Sequence, residues 1–492
     1  MAEQFILVLD EGTTSTRAML FAPDGSVHRV VQREFAQHYP RPGWVEHDAG
    51  EIWDDTLACA REVVAAAGGP RHIACIGIAN QRETVVAWDR TTGRPLAHAL
   101  VWQDRRTAGQ CAALREAGHE PAVQQATGLL LDPYFSGTKM RWLIENEPAV
   151  AQAAEDGRLA FGTIESWLVF KLTGGTHVTD ASNASRTLLL PLAGADWDEG
   201  LCDLFGVPRA ALPEVCDSAG HFGTTLPELF GASIPITGLA GDQQAATIGQ
   251  GCLAPGDTKA TYGTGAFILA NTGGTLPHSE HRLLGTVLYQ LQGKRTYAVE
   301  GSVFVAGSLI KWLRDALGLI REAAETETLA RSIDSAGGVA IVPAHTGLGA
   351  PYWEPLARGV FTGLSFTTGK AEIARAALEA QSHQTCDLAQ AFAADGASWT
   401  GLRIDGGMSA NDWLAQDIAD ILRLPVERPV NVETTALGAA MLAGLGAGLF
   451  ASLEDACAAM RGGVTRFEPA MEDAVREDRL ARWRKAIAAA RL

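Results

Sequence analysis

No apolar run in the 492-residue chain reaches the roughly 18 residues that a membrane-spanning helix needs, so no integral membrane segment is expected. No Cys-x-x-Cys spacing occurs among the eight cysteines, which are scattered from Cys59 to Cys457. That points away from a zinc site or a disulfide framework and towards reduced thiols filling a core. Positive charge is also short. The formal net charge of −17 argues against nucleic acid as a partner, because such binding needs a basic surface that displaces counterions. Met1 to Phe5 put no basic segment ahead of an apolar stretch, so a secretory signal is not expected and a cytoplasmic location is. None of these deficits excludes a nucleotide, which a few backbone N–H groups and a metal ion can hold inside a cleft whatever the outer charge.

The common nucleotide-binding motifs are missing too. Gly363 to Ala371 has one residue too many between its glycines for a P-loop and lacks the hydroxyl residue after Lys370. Gly444, Gly446 and Gly448 miss the dinucleotide spacing and read as the end of a helix. No low-complexity or long charged linker divides the chain.

What is present is an average globular composition, 47% hydrophobic and 20% charged, over a length that suggests two large domains. A strand over Phe5–Asp10 leads into a polar tip, Glu11 to Thr16, and a second apolar run over Arg17–Phe21. Asp24-Gly25 then turns the chain into a third strand from Val27 to Phe35. The same pattern returns after Gly251. Thr258–Tyr262 and Ala266–Ala270 flank the tip Gly263-Thr264-Gly265, and strand-like Leu284–Leu291 and Thr296–Val299 follow. Alternating segments then continue each half: a helix near Glu51–Ala67 and a strand over Ile73–Ile78 in the first; Val303–Leu317, a strand at Val339–Val342, a helix over Ala371–Phe392 and a strand at Leu402–Ile404 in the second. Two α/β units with matching tips imply a cleft between related domains, with the boundary near Gly249.

Each tip can offer backbone N–H and hydroxyl donors to phosphate oxygens, or can be an ordinary hairpin turn; the repetition favours phosphate. Asp10 at a strand end can hold the hydration shell of Mg2+ or cap the turn. Asp405-Gly406-Gly407 follows a strand and precedes a helix near Asp412, a turn whose glycines let a flat base lie on backbone. Asp242 stands where the strand Ile236–Ala240 gives way to a helix. The stretch after Glu472, with Arg479, Arg482 and Arg484, reads as a solvated mixed-charge helix.

Together, Asp10-x-Gly12-Thr13, Gly241–Gln244, Tyr262–Gly265 and Asp405–Gly407 resemble the FGGY carbohydrate kinases. Longer stretches are similar to the glycerol-phosphorylating members: Asn80–Thr84, Val101–Arg106, Asp132–Ser136, Asn183–Thr187, Gly347–Trp353 and Glu433–Gly438, in order along the chain. The resemblance implies an α/β fold of two actin-like, ribonuclease-H-like domains with an interdomain catalytic cleft. Residues 1–249 would bind polyol and phosphate, and 250–492 the nucleotide. It implies ATP-dependent phosphorylation of glycerol to sn-glycerol 3-phosphate and ADP, the first step of glycerol catabolism, with ATP and Mg2+ required.

By the same resemblance Asp242 is the catalytic base. Glycerol is held by Arg82, Glu83, Trp102, Tyr134, Asp242, Gln243 and Phe267. Thr13, Thr14, Ser15, Arg17, Thr264, Gly307, Lys311, Gly407 and Asn411 contact ATP or ADP, and Asp10 and Asp242 serve the metal. A homo-oligomer, dimer or tetramer, is implied. Lys311 and Glu11 stand where glutamine is frequent, and His345 where phenylalanine is frequent, a position that favours a structural histidine. Ser233 and Glu228 replace an arginine and a histidine used in regulation by some relatives, so control by fructose 1,6-bisphosphate or phosphohistidine is not expected.

Overall fold

The computed structural model describes residues 4–354 and 356–492. Its first sheet contains β1 (Phe5–Glu11), β2 (Ser15–Phe21), β3 (Val27–Glu34), β4 (Ile73–Asn80) and β5 (Ile236–Gly241), ordered β5-β4-β1-β2-β3. β1 is buried along its whole length, as its unbroken apolar run requires of a strand covered on both faces. β3, at the edge, buries only Val31 and carries the charged Arg29, Arg33 and Glu34, which discourage edge-to-edge pairing. β3, β4 and β5 run in the direction of β1, while β2 runs antiparallel between β1 and β3. Helix α1 (Ala49–Ala66) covers β2 and β3, and Asp48 caps it by accepting from the Gly50 and Glu51 N–H groups.

The second sheet repeats this plan with additions. Its strands are β6 (Asp257–Tyr262), β7 (Ala266–Gly273), β8 (Leu284–Leu291), β9 (Lys294–Val303), β10 (Gly401–Asp405), β11 (Val426–Pro429) and β12 (Val464–Phe467), in the order β8-β9-β7-β6-β10-β11-β12. The inner five, β11-β10-β6-β7-β9, match the whole first sheet in order and direction. β8 and β12 extend the two edges. The repeated strand-tip-strand pattern is therefore a real duplication of topology. The segment expected from Val303 to Leu317 divides: Val303 ends β9, and a helix begins only at Gly307.

The chain continues through α2 (Asp242–Gly249), α3 (Gly307–Asp315), α4 (Lys370–Ala394), α5 (Asp412–Leu422), α6 (Thr434–Gly446) and α7 (Asp473–Ala490). α6 lies between β11 and β12 of the second sheet in sequence yet packs on the first, so that Ala436 to Ala443 share a core with Ile6, Val8, Cys75, Ala240 and Ala245. Its contact with α2 depends on glycine. A Cβ on Gly438 would sit 1.8 Å from the Ala245 carbonyl oxygen, and one on Gly249 would sit 2.0 Å from that of Thr434.

α7 departs from the solvated helix expected there. Leu480, Trp483, Ala486, Ile487 and Ala490 are buried, and Arg479, only 4% exposed, makes two hydrogen bonds to Asp417 at 2.6 and 2.8 Å. Arg482 and Arg484 remain at the surface with Asp478 and Glu477. Among the described residues no helix is long and apolar enough to cross a membrane. All eight cysteines are free and most are buried.

Candidate active site

The parallel strands β1, β4 and β5 end side by side, the position at which open α/β sheets present ligand-binding groups. β1 ends on Asp10 and Glu11, β4 on Asn80 followed by Gln81 to Thr84, and β5 on Gly241, after which Asp242 opens α2. Asn80 and Asn183 lock this end by a reciprocal pair of amide hydrogen bonds at 3.0 Å. Gly241 is required here: a Cβ would lie 2.7 Å from Cγ of Arg82. Glu83 has a φ of +62°, a left-handed conformation that a bulky residue adopts only under constraint from its surroundings.

Arg82 is buried and serves several acceptors. Its Nε lies 3.2 Å from Asp242 Oδ1, Nη2 donates to the Tyr134 hydroxyl at 3.4 Å, and Nη1 bonds to Glu300. Glu83 is also buried and accepts from Arg186 Nε at 2.6 Å. Burial pushes its carboxyl above the ordinary value, against the pull of Arg186 and Arg82. Asp242 is partly open to solvent and accepts from its neighbour, the Gln243 N–H, at 2.7 Å.

Trp102 closes one side, its Nε1 donating to Thr13 Oγ1 at 2.9 Å. Tyr134 meets it edge-on at 5.6 Å between ring centroids, and Phe267, carried by β7 of the second half, approaches it at 6.4 Å. The loop bearing Tyr134 is fixed by the buried ammonium of Lys139, which donates to the carbonyls of Pro133, Tyr134 and Phe135. Gln243 accepts from buried Lys259 at 2.5 Å. Seven residues far apart in sequence, Arg82, Glu83, Trp102, Tyr134, Asp242, Gln243 and Phe267, thus surround one region where the halves meet.

Both tips lie near Trp102: Thr13 of the first accepts from its Nε1, and Phe267, two residues beyond the second, meets its ring. In the first, the Gly12 N–H donates to the Ser15 carbonyl at 3.0 Å, and Thr13, Thr14 and Ser15 are at least partly accessible. Arg17 pairs with Asp10 and, at 2.7 Å, with Glu433 at the start of α6. Burial raises the Asp10 carboxyl; Arg17 opposes the rise, and Asp242 and Glu433 add to it. A cation suits this carboxylate-rich corner. Among the described residues no group of three or more His, Cys, Asp or Glu is placed to hold a metal ion.

The second tip is braced by α3. The Gly307 N–H donates to the Gly263 carbonyl at 2.9 Å, and a Cβ on Gly307 would lie 2.5 Å from that oxygen. Thr264 is exposed, and Lys311 is exposed one turn into α3. Gly406, at φ +84°, passes under Tyr262, whereas a Cβ on Gly407 would meet nothing within 4 Å, leaving room above the backbone. Asn411 caps α5 by accepting from the Leu414 N–H at 2.9 Å, which commits its carbonyl oxygen to the fold. His345 packs its ring on Trp312 at 4.8 Å, an aromatic contact in keeping with the structural role expected.

Sequence reading gave no role to Glu300, Arg186 or Lys259. Each is buried at the site: Glu300 bonds both Arg82 and Arg186, and Lys259 bonds Gln243 and Thr261. For Glu300 the available signal was a charge beside the apolar Ala298 and Val299 of a strand-like segment, which is rarely buried without a partner; Arg186 and Lys259 stand in polar stretches that carry no such signal.

The chain matches the FGGY family of carbohydrate kinases, the N-terminal domain over residues 5–249 and the C-terminal domain over residues 258–447. It belongs to that family. A glycerol kinase of Alcanivorax borkumensis is 57% identical over 487 residues, covering 98% of each chain. One of Methylobacterium nodulans is 55% identical over 490 residues, covering 98% of this chain and 97% of that one. Among solved structures, Plasmodium falciparum glycerol kinase with ADP superposes with a TM-score of 0.95 at 35% identity, covering 100% of this chain and 99% of that one.

Proposed function

We infer that this chain transfers the γ-phosphoryl group of ATP to a terminal hydroxyl of glycerol, giving sn-glycerol 3-phosphate and ADP. One observation carries the reading. Arg82, Glu83 and Asp242 converge with Trp102, Tyr134 and Phe267 where the halves meet, in a chain that aligns along 98% of its length with glycerol kinases. A three-carbon triol offers little apolar area, so its recognition rests on paired hydroxyls, and each mispaired buried group costs roughly 1–3 kcal/mol. Arg82 donates to and Glu83 accepts from the two hydroxyls that do not react, Tyr134 adds a phenolic donor, and Gln243 fixes orientation. Trp102 and Phe267 cover the carbon chain from the two halves.

Asp242 accepts the proton of the third hydroxyl as its oxygen bonds to the γ-phosphorus and the bond from that phosphorus to the β–γ bridging oxygen breaks, releasing ADP. Such transfers pass through a loose transition state, so alignment and charge stabilisation dominate. Thr13, Thr14, Ser15, Arg17 and Thr264 hold phosphates from the two tips, and Gly307, Lys311, Gly407 and Asn411 hold the rest of the nucleotide. Mg2+ bound with ATP near Asp10 and Asp242 would spread the charge of the phosphoryl oxygens. Closing the halves excludes water, which would otherwise compete for the phosphoryl group. The division of labour falls near Gly249, polyol and phosphate on the first half and nucleotide on the second, and the enzyme acts in the cytoplasm as a homo-oligomer.

The test is ADP release measured with glycerol, a tetritol, a ketopentose and no polyol. Glycerol-dependent release supports the reading. Release that ignores polyol, or that prefers the ketopentose, overturns it.

A further inference from the structure

We propose that Glu300 is a positioning residue of the polyol pocket, supplied by the second half of the chain to hold both Arg82 and Arg186 of the first. The proposal rests on the glycerol reading above and assigns a determinant of substrate affinity that lies outside the seven pocket residues.

Glu300 sits in β9, paired with Leu269 of β7 on one side and Leu284 of β8 on the other, so its backbone is fixed from both directions. Its side chain crosses to the first half. Oε2 bonds Arg82 Nη1, and Oε1 bonds Arg186 Nη2 at 3.0 Å. Each arginine has one further carboxylate: Arg82 reaches Asp242 through Nε at 3.2 Å, and Arg186 reaches Glu83 through Nε at 2.6 Å. The result is a row of five alternating charges, Glu83, Arg186, Glu300, Arg82 and Asp242. Both ends are pocket groups, and only the middle member comes from the second sheet.

Desolvation decides what such a row is for. Glu300, Arg82 and Arg186 are almost wholly buried, and apolar side chains of similar size would fill the same space at less cost. Burial opposes the charge on Glu300, but Arg186 and Arg82 outweigh it and hold the carboxyl below its ordinary value. The anion therefore persists and fixes two planar guanidinium groups whose Nε atoms meet Asp242 and Glu83. Without it, Arg82 is free to turn its Nη edge onto Asp242, and Arg186 is free to draw Glu83 out of line. Glu300 can make this grip only with the halves docked. Pocket geometry is thereby tied to closure.

The experiment compares Glu300→Gln and Glu300→Asp with the unaltered enzyme. Glutamine keeps the volume and an acceptor but removes the charge, and each arginine retains one carboxylate, so folding is expected to hold. The expected result is a KM for glycerol raised about tenfold or more, with the KM for ATP within about twofold. Aspartate keeps the charge but is one methylene shorter, and is expected to recover part of the glycerol affinity. An unchanged glycerol KM in Glu300→Gln overturns the proposal. So does a parallel loss of both KM values and melting temperature that aspartate does not relieve, the behaviour of a residue that serves stability alone. If the glutamine variant fails to fold, Glu300→Asp decides by the same split: a rise confined to glycerol supports the role, and equal rises for both substrates refute it. An unaltered enzyme without glycerol-dependent ADP release would refute the functional reading itself.

Discussion

Replacing Glu11 by glutamine should leave stability at acid pH nearly unchanged and raise it at alkaline pH. Glu11 ends β1 with both carboxyl oxygens buried: Oε1 accepts from Thr16 at 2.5 Å and Thr56 at 2.8 Å, and Oε2 has no partner. Burial pushes the carboxyl up to about 8 from an ordinary 4.5, only partly offset by the two threonine hydroxyls. The folded form therefore holds a proton that the unfolded chain gives up. Between the two values stability falls as pH rises, and above the folded value the loss is complete. A shift of that size corresponds to a ceiling of about 5 kcal/mol, and relaxation or water entry at alkaline pH would reduce it to about 2–3 kcal/mol. Glutamine has nearly the same shape and does not titrate. Denaturant unfolding followed by tryptophan fluorescence from pH 5 to pH 9 is the assay. Converging midpoints at pH 5 and a clear advantage for Glu11→Gln at pH 9 are expected. Parallel curves over the whole range would refute the reasoning. With its carboxyl pushed up to about 8, Glu11 is mostly protonated at neutral pH and adds little negative charge beside Asp10.

Two further perturbations test how the halves are joined and how the C-terminal helix is held. Gly438→Ala drives a methyl group into the backbone of α2, and should destabilise by at least the roughly 1–3 kcal/mol typical of overpacking; Gly109→Ala, with open space around it, should change stability by less than about 1 kcal/mol in the same denaturant titration. Arg479→Met leaves Asp417 and Glu379 buried without their shared cation and should cost roughly 3–5 kcal/mol, most of it recovered by the double change Arg479→Met with Asp417→Leu. Failure of the double change to recover stability would show that the arginine acts through something other than this pairing.

Much of the architecture was legible because it is written in local pattern. The unbroken apolar run of β1, the polar tip after it and the second copy around Gly263 predicted the duplicated sheets, and the structure gives them matching strand order. Asp242 was legible as a carboxylate at a strand-to-helix turn, but its neighbours were found through the family resemblance. What stayed hidden is long-range. Glu300 meets Arg82 across 218 positions and Arg186 across 114, and no periodicity in β9 shows which side chain will cross between halves. α7 misled for a related reason. Its frequent arginines suggested solvent, whereas Arg479 is buried against an aspartate of α5 that only the tertiary fold brings near. The break between β9 and α3 inside Val303 to Leu317 was not legible, because apolar Val303 and Val305 continue the pattern of the strand into the turn before Gly307.

The central claim is that Asp242 takes the proton of the reacting hydroxyl, and the most direct test is single-turnover and steady-state kinetics of Asp242→Asn alongside glycerol binding by calorimetry. The account predicts glycerol binding that stays measurable and turnover lowered by about 100-fold to 10,000-fold, the range for loss of a general base. Turnover within a few-fold of the unaltered enzyme would contradict it.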